Sequence, residues 1–366
     1  MAPEPRPELL EVPDVVHGAL DFAELERLGL APEAVLDFSV NGNPYGPSPR
    51  VRAALATVAL ERYPDRQALA LRRELAQHLD VPPSQILVGN GSAELLWLAA
   101  LAFLRPGDAV YILGPTFGEY ERVARLLGAR VQGYTAAPAA FHVDPQAVAQ
   151  ELHRTSPRLV FVCNPNNPTG TYLPCETIAA WAGAFPQSLF VVDEAYLPFV
   201  AGAASVHTLR LANVLALHSM TKAYALAGLR LGYALGPEPV VQALAKAQPP
   251  WSVNALAQAA GRAALSDQQH LRTCLARLAQ AKGELVRGLQ ALGLAPLPSA
   301  THFFLVPMGN ARRCRQALLR QGILVRDCTS FGLPAYIRIA TRTPADNARL
   351  LAALQAYGQS GVCHGR

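Results

Sequence analysis

Short, continuous hydrophobic runs alternate with longer amphipathic stretches through the middle of this 366-residue chain. Hydrophobic runs without polar interruptions are typical of parallel strands that are buried on both faces of a sheet. The pattern predicts strands at 86–88, 109–113, 159–162, 189–192, 214–217 and 231–235, and helices between them, such as 93–104 and 119–127. Alternating strands and helices predict a doubly wound α/β domain.

The pattern changes at residues 248–250, where a glutamine is followed by two prolines. The part that follows is rich in alanine, leucine, glutamine and arginine, which favours a long helical segment. Beyond the prolines we predict helix over 253–292, strands at 302–307, 323–326 and 336–340, and a final helix at 344–357. This order predicts a second, smaller α+β domain.

Composition excludes several classes of protein. The chain is 51% hydrophobic, only 16% charged, and carries a net charge of +5, which is too diffuse for a nucleic-acid surface. The longest apolar run, 95–104, is too short to span a bilayer, and the proline-rich start has no signal-peptide core. The six cysteines lack the spacing of a metal site, and we interpret them as buried thiols in a reducing compartment. We therefore expect a soluble, cytoplasmic protein that does not bind a metal.

Lys222 stands in the most informative segment, His218-Ser219-Met220-Thr221-Lys222, directly after the hydrophobic run 214–217. Two hydroxyl side chains precede the lysine, and Arg230 follows it. An amine at the end of a buried strand, beside hydroxyl and guanidinium donors, suits a lysine that forms a Schiff base with pyridoxal phosphate. The alternative for Lys222 alone is an ordinary surface lysine after a strand.

Two upstream segments favour the same cofactor. Asp193 ends the hydrophobic run 189–192, and a carboxylate there suits the protonated pyridine nitrogen of pyridoxal phosphate. Tyr196 and Asn167 can each donate a hydrogen bond to the ring oxygen of the cofactor. Asn167 lies in a segment where two prolines and a glycine favour a loop. Considered alone, Asp193 also fits a helix N-cap, and the asparagine-rich loop also fits a simple turn.

Together, NPNNPTG at 164–170, DEAY at 193–196, the Thr221-Lys222 pair and GLRLGY at 228–233 resemble fold-type I enzymes of the class I and II aminotransferase superfamily. The resemblance extends from about residue 16 to residue 354. It implies a large, doubly wound, mostly parallel sheet domain and a smaller α+β domain. We predict an N-terminal arm at 1–44 that joins the small domain, a large cofactor-binding domain at 45–247, and the small domain at 248–366.

The resemblance also implies the residues that bind the cofactor, pyridoxal phosphate. Lys222 and Asp193 are the catalytic residues. The phosphate loop of the family matches the start of a predicted helix, where free N–H groups and the helix dipole favour anions. The further cofactor residues are Gly91, Ser92, Ala93, Phe117, Asn167, Tyr196, Ser219, Thr221 and Arg230. Tyr63 resembles a tyrosine that reaches the phosphate from a partner subunit, which implies a homodimer with shared sites.

Two members of the superfamily that act on phosphorylated substrates compete. Segments 17–18, 37–44, 219–225 and 250–257 resemble L-threonine-O-3-phosphate decarboxylase, although Ala19 stands where its pattern has a second glycine. This resemblance implies decarboxylation of L-threonine O-3-phosphate to (R)-1-amino-2-propanol phosphate, for cobalamin biosynthesis. The alternative is a histidinol-phosphate aminotransferase that uses 2-oxoglutarate.

The substrate residues follow from the same resemblance. Arg338 matches an arginine that binds a carboxylate, and its planar guanidinium suits that group. Arg326 matches a phosphate-binding position, with His17 beside it. Asn41 and Asn167 complete the predicted substrate contacts. The alternative for each arginine is a weak surface ion pair at a strand end.

A different class of protein also carries this fold: transcription regulators with a DNA-binding domain in front of it. Only about 35 residues precede Asp37. We therefore expect an enzyme, because so short a segment cannot hold a winged helix and a linker.

Overall fold

The computed structural model describes residues 3–12, 15–136 and 141–359. In these residues, helices α1 to α13 span Glu8–Glu11, Phe22–Leu28, Pro49–Leu55, Leu69–Leu79, Gly91–Phe103, Glu119–Leu126, Pro145–Thr155, Cys175–Ala184, Glu238–Ala247, Ala255–Leu265, Gln268–Ala291, Ala311–Leu319 and Pro344–Gln359. Strands β1 to β12 span Leu36–Asp37, Ile86–Gly89, Ala109–Gly114, Arg130–Thr135, Leu159–Cys163, Leu189–Asp193, Val214–Ser219, Gly232–Leu235, Phe303–Pro307, Ile323–Leu324, Arg326–Asp327 and Tyr336–Ala340.

The centre of the fold is a seven-stranded sheet with the order β2-β8-β7-β6-β5-β3-β4. Strand β8 is antiparallel to both of its neighbours, and the other adjacent pairs are parallel. Every residue of β5, β6 and β7 is buried, as their uninterrupted hydrophobic sequences predict. Helices cover both faces of the sheet, where separate hydrophobic clusters form. This topology confirms the predicted fold class.

The C-terminal part has its own sheet and core. Strands β11, β12 and β9 form an antiparallel sheet, and α11, α12 and α13 pack with it around a third hydrophobic cluster. Strand β1, near the N-terminus, pairs in parallel with β10, so the first part of the chain packs against this region. The predicted domain limits at residues 44 and 247 stay predictions.

Several elements differ from the sequence-based expectation. Strand β4 was not predicted, because this edge strand mixes polar and apolar residues and remains partly exposed. The helix predicted over 253–292 is two helices, because Asp267 lies outside helical geometry and caps α11 through the His270 amide. The strand predicted at 323–326 is divided into β10 and β11, which join different sheets.

The described residues also include five of the six cysteines. Cys163, Cys175, Cys274, Cys314 and Cys328 are buried thiols, whereas Cys363 lies outside the described residues. Within that part of the chain, no helix is long and apolar enough to cross a bilayer. Over the same residues, no group of three or more metal-ligating side chains is arranged around a common point.

Candidate active site

Polar residues follow three neighbouring parallel strands at the same edge of the large sheet. Strands β5, β6 and β7 end at Cys163, Asp193 and Ser219, and Lys222 follows β7 after one short turn. Parallel strands place their carboxyl ends on one side, which is where open α/β sheets bind ligands. The alternating architecture therefore brings the predicted Asn167, Asp193 and Lys222 segments together.

The Lys222 amine lies 6.0 Å from the centre of the Tyr196 ring. Burial lowers the pKa of Lys222 to about 8, and the positive charges of Arg338 and Arg230 act in the same direction, while Asp193 opposes them. The backbone carbonyl of Lys222 accepts hydrogen bonds from the amides of Asn43 and Ala225. An amine with a lowered pKa is available as a nucleophile and as a base near neutral pH.

Asp193 is a buried carboxylate in a defined hydrogen-bond environment. It accepts a hydrogen bond from the Tyr120 hydroxyl at 2.8 Å and one from the Ala195 amide at 3.0 Å. Burial raises the pKa of Asp193, whereas these two hydrogen bonds and the positive charge of Lys222 lower it. Such an oriented carboxylate can stabilise a cationic ring nitrogen beside it.

The sequence analysis did not predict Tyr120, although its position close to the predicted Phe117 could have indicated it. The residue lies three positions after Phe117, at the start of α6. Its ring stacks on Phe161 with 5.1 Å between the centres, and the Phe117 ring meets it edge-on at 5.7 Å. Phe117 is therefore connected through Tyr120 to Asp193, at the side of the site where the family resemblance places the cofactor ring.

The N-terminus of α5 lies against the segment that follows β7. Gly91 has a φ of +80°, and a Cβ atom there would approach a terminal nitrogen of Arg230 to 2.8 Å. A Cβ atom on Gly232 would meet the Ser92 amide nitrogen at 2.6 Å. Glycines at both positions therefore permit the backbone to fold closely around a small space at the helix N-terminus.

Hydroxyl groups complete this anion cradle. Ser219 is the β7 partner of Gly232 in the sheet, and its hydroxyl lies 2.6 Å from the Thr221 hydroxyl. The cradle thus combines helix N–H groups, two buried hydroxyls and the Arg230 guanidinium, which are the donors that bind a phosphate. It gathers the predicted phosphate residues Gly91, Ser92, Ala93, Ser219, Thr221 and Arg230.

Two buried arginines, Arg326 and Arg338, lie directly opposite each other on β11 and β12. Arg338 donates to the Asn167 side-chain oxygen and to the Ser39 carbonyl, while its Nε has no hydrogen-bond partner in the described part of the structure. The pKa of Arg326 is lowered to about 10, first by burial and then by the positive charge of Arg338. Two neighbouring guanidinium groups can bind an anion such as a phosphate or a carboxylate.

Tyr196 lies near Lys222, Arg338 and Asn41. Burial raises the pKa of Tyr196 to about 12, while Arg338 and the Asn41 amide lower it. Asn41 is 2% exposed, and neither of its amide atoms completes a hydrogen bond of good geometry with another described residue. Buried amide groups without partners are rare, so this amide is available to a ligand.

Two predicted site residues, His17 and Tyr63, lie apart from Lys222 within the single chain. His17 lies against Glu119, with its Nε2 atom 3.2 Å from a carboxylate oxygen, and its ring is 5.7 Å from the Phe117 ring. Tyr63 is 81% exposed and packs on Trp251 at 4.8 Å between ring centres. Neither side chain forms a hydrogen bond with Arg326, Arg338 or Lys222 within the described ranges of the single chain.

Comparison with known proteins identifies close relatives. A sequence model of the aminotransferase class I and II family matches residues 33–354. The histidinol-phosphate aminotransferase of Symbiobacterium thermophilum is 42% identical over 86% of this chain and 88% of its own length. The Sinorhizobium meliloti histidinol-phosphate aminotransferase, solved with pyridoxal-5'-phosphate, is similar with a TM-score of 0.86, 28% identity and 97% coverage of both chains.

The prediction of threonine-phosphate decarboxylation is wrong. L-Threonine-O-3-phosphate decarboxylase from Porphyromonas gingivalis is a more distant structural neighbour, with a TM-score of 0.78, 28% identity, and coverage of 88% of this chain and 99% of its own. By contrast, the curated relative with 42% identity is an aminotransferase. Two segments behind the prediction have packing roles: Trp251 packs on Tyr63, and Tyr224 accepts a hydrogen bond from Gln268. These contacts do not select a reaction.

Proposed function

Because this chain belongs to the family of class I and II aminotransferases, we propose that it transfers the amino group of histidinol phosphate to 2-oxoglutarate. Its cofactor is pyridoxal phosphate. The observation that carries the choice of substrate is the buried pair of Arg326 and Arg338, close enough to the Lys222 amine for the charge of Arg338 to act on it. Two guanidinium groups in one pocket suit a phosphate dianion.

The residues of the site fit the cofactor. Pyridoxal phosphate, when bound, supplies an aldehyde that reacts with amines and a conjugated ring that accepts electrons from the bond that breaks. We assign its covalent attachment to Lys222, its ring nitrogen to Asp193 and its phosphate to the cradle around Gly91 and Arg230. We assign Phe117 to one face of the ring, and we assign Tyr196 and Asn167 to the ring oxygen as hydrogen-bond donors.

Lys222 also moves the proton on which transamination depends. In the holoenzyme, the free Lys222 amine would take the proton from the donor Cα atom. Its pKa of about 8 suits this step, because a general base works best when its pKa is near the ambient pH. The nearby positive charges of Arg338 and Arg230 help to keep the amine neutral between proton transfers.

The two substrates use the arginine pair in turn. We propose that the phosphate of histidinol phosphate binds Arg326 and Arg338, and that Asn41 contacts the same end of the substrate. In the second half of the reaction, the α-carboxylate of 2-oxoglutarate takes the place of the phosphate at Arg338. The Asn41 amide and the Arg338 Nε atom support this assignment, because they complete no hydrogen bond of good geometry within the described residues and so retain hydrogen-bonding capacity.

The exposed aromatic pair of Tyr63 and Trp251 supports a homodimer in which Tyr63 reaches the partner's cofactor phosphate. Mixing Lys222→Ala subunits with Tyr63→Phe subunits is expected to restore activity, because one of the two mixed sites contains both native residues. Each variant is first measured alone, and subunit exchange is verified by differently tagged chains. Verified heterodimers without restored activity would argue against shared sites.

The proposed function is tested by incubating the holoenzyme with L-histidinol phosphate and 2-oxoglutarate. We expect stoichiometric formation of glutamate and the ketone derived from the donor, with no release of CO₂. L-Threonine O-3-phosphate is the comparison substrate and is expected to release no CO₂ above background. Absence of glutamate with histidinol phosphate as donor would rule the proposal out.

A further inference from the structure

The N-terminal segment Val16–His17 connects two charged groups of the candidate site. The Val16 carbonyl accepts a hydrogen bond from Arg326 at 2.6 Å. The next residue, His17, places its Nε2 atom 3.2 Å from a Glu119 carboxylate oxygen. One dipeptide therefore puts an oxygen acceptor on the arginine pair and an imidazole ring on a carboxylate.

The proposed amino donor, histidinol phosphate, also carries an oxygen acceptor and an imidazole ring, and a similar number of covalent bonds separates them. About seven covalent bonds separate the Val16 carbonyl oxygen from the His17 Nε2 atom, and about eight separate a terminal phosphate oxygen of histidinol phosphate from the corresponding ring nitrogen. A ligand whose phosphate replaces the Val16 carbonyl at Arg326 can therefore place its own imidazole where the His17 ring lies.

Glu119 is built to accept an N–H group at this place. Its side chain is 9% exposed, and it also accepts hydrogen bonds from the Trp97 indole at 3.4 Å and from Arg122 at 3.2 Å. The next residue, Tyr120, donates a hydrogen bond to Asp193. This hydrogen bond positions Glu119 relative to the cofactor site. The Phe117 ring supplies an aromatic wall for a flat ring bonded to Glu119.

We propose that Glu119 recognises the imidazole ring of the amino donor, and that the donor displaces His17 from Glu119 and Val16 from Arg326. This inference rests on the proposed function. It replaces the predicted contact between His17 and the substrate phosphate with a different role: His17 covers the Glu119 carboxylate whenever the donor is absent.

The role of His17 differs between the two substrates. The donor brings an imidazole and competes with His17 for Glu119. The acceptor, 2-oxoglutarate, instead carries a second carboxylate on the side chain that points away from Arg338. Glu119 keeps its contact with Arg122 in both states, but it repels that carboxylate less when His17 also covers it. His17 therefore weakens donor binding and favours acceptor binding.

The test is steady-state kinetics of the holoenzyme with Glu119→Gln. We expect its KM for histidinol phosphate to rise about tenfold to a hundredfold, as the loss of a charge-assisted hydrogen bond implies, while its KM for 2-oxoglutarate does not rise. Glu121→Gln is the matched control, because Glu121 is an exposed glutamate on the same helix and pairs with Arg125. Cofactor absorbance verifies that each variant retains a formed site.

A second variant, His17→Ala, is expected to change the KM for histidinol phosphate in the opposite direction from Glu119→Gln. Its KM for histidinol phosphate is expected to fall about threefold to tenfold, and its KM for 2-oxoglutarate to rise by a similar factor. A change in fold or in cofactor binding would move both values in the same direction. The pair of variants therefore separates substrate recognition by Glu119 from a structural effect.

The outcomes distinguish this inference from the proposed function. If the wild-type enzyme transaminates histidinol phosphate but Glu119→Gln behaves like Glu121→Gln, the role of Glu119 is refuted and the function stands. A higher KM for histidinol phosphate in His17→Ala refutes the displacement of His17, because it shows a direct favourable contact with the donor. If the wild-type enzyme does not use histidinol phosphate, both proposals are refuted.

Discussion

Replacing Lys222 with alanine is expected to reduce amine transfer by a factor of at least about 10³, because the same amine attaches the cofactor and moves the Cα proton. The visible absorbance of the covalently attached cofactor is expected to disappear with it. Lys246→Ala is the matched control, since Lys246 is an exposed lysine on α9. This control variant is expected to retain both activity and absorbance.

Borohydride reduction and peptide mapping locate the attachment directly. The chain has three lysines, at 222, 246 and 282, so peptide mapping has to distinguish among only three possible attachment sites. We expect the label on Lys222, the lysine whose pKa burial lowers to about 8. A label on Lys246 or Lys282 would contradict the proposed site.

The second large effect is expected at the arginine pair. Arg326→Ala removes a charge-assisted contact with the substrate phosphate, worth roughly 1.5–3 kcal/mol. Because a difference of about 1.4 kcal/mol is tenfold in affinity, the preference for histidinol phosphate over histidinol is expected to fall about tenfold to a hundredfold. The measurement is kcat/KM for both donors, which differ in the phosphate alone.

Arg262→Ala controls for the loss of a positive charge, because Arg262 forms a partly exposed ion pair with Glu74. This variant is expected to leave the preference unchanged, as exposed ion pairs contribute little. In Arg326→Ala, an equal loss of kcat/KM for histidinol phosphate and histidinol would show that Arg326 does not bind the phosphate.

The large sheet could be predicted from the sequence because its strands are buried on both faces. Uninterrupted hydrophobic runs mark β5, β6 and β7, and the polar residues that follow them lie at one edge. Local sequence also marks the cradle, since Gly91 begins a hydrophobic helix after a strand. Strand β4 could not be predicted in this way, because it lies at the sheet edge and shows neither a continuous nor a clean alternating pattern.

Contacts between distant parts of the chain were beyond the reach of local patterns. Tyr120 and Asp193 are 73 positions apart, and His17 and Glu119 are 102 positions apart. Each pair depends on how separate elements pack, which hydrophobic periodicity does not encode. The break at Asp267 was missed for a related reason: its side chain caps α11 and also accepts a hydrogen bond from the distant Ser48 hydroxyl.

The choice of reaction could not be derived from motif similarity either. The segments used to favour a decarboxylase include Trp251, whose ring is partly exposed and packs on Tyr63. The cofactor residues serve both reactions, so they do not discriminate. The groups that we propose select the substrate, Arg326 and Glu119, are in tertiary contact with Val16 and His17, which no local motif encodes.

The central claim, amine transfer from histidinol phosphate, is tested most directly by a half-reaction without 2-oxoglutarate. Holoenzyme mixed with excess L-histidinol phosphate is expected to form one equivalent of the corresponding ketone per Lys222 site and then stop. Addition of 2-oxoglutarate is expected to restart turnover and yield one glutamate per ketone. Release of CO₂ from a phosphorylated amino acid, or no ketone from histidinol phosphate, would contradict the account.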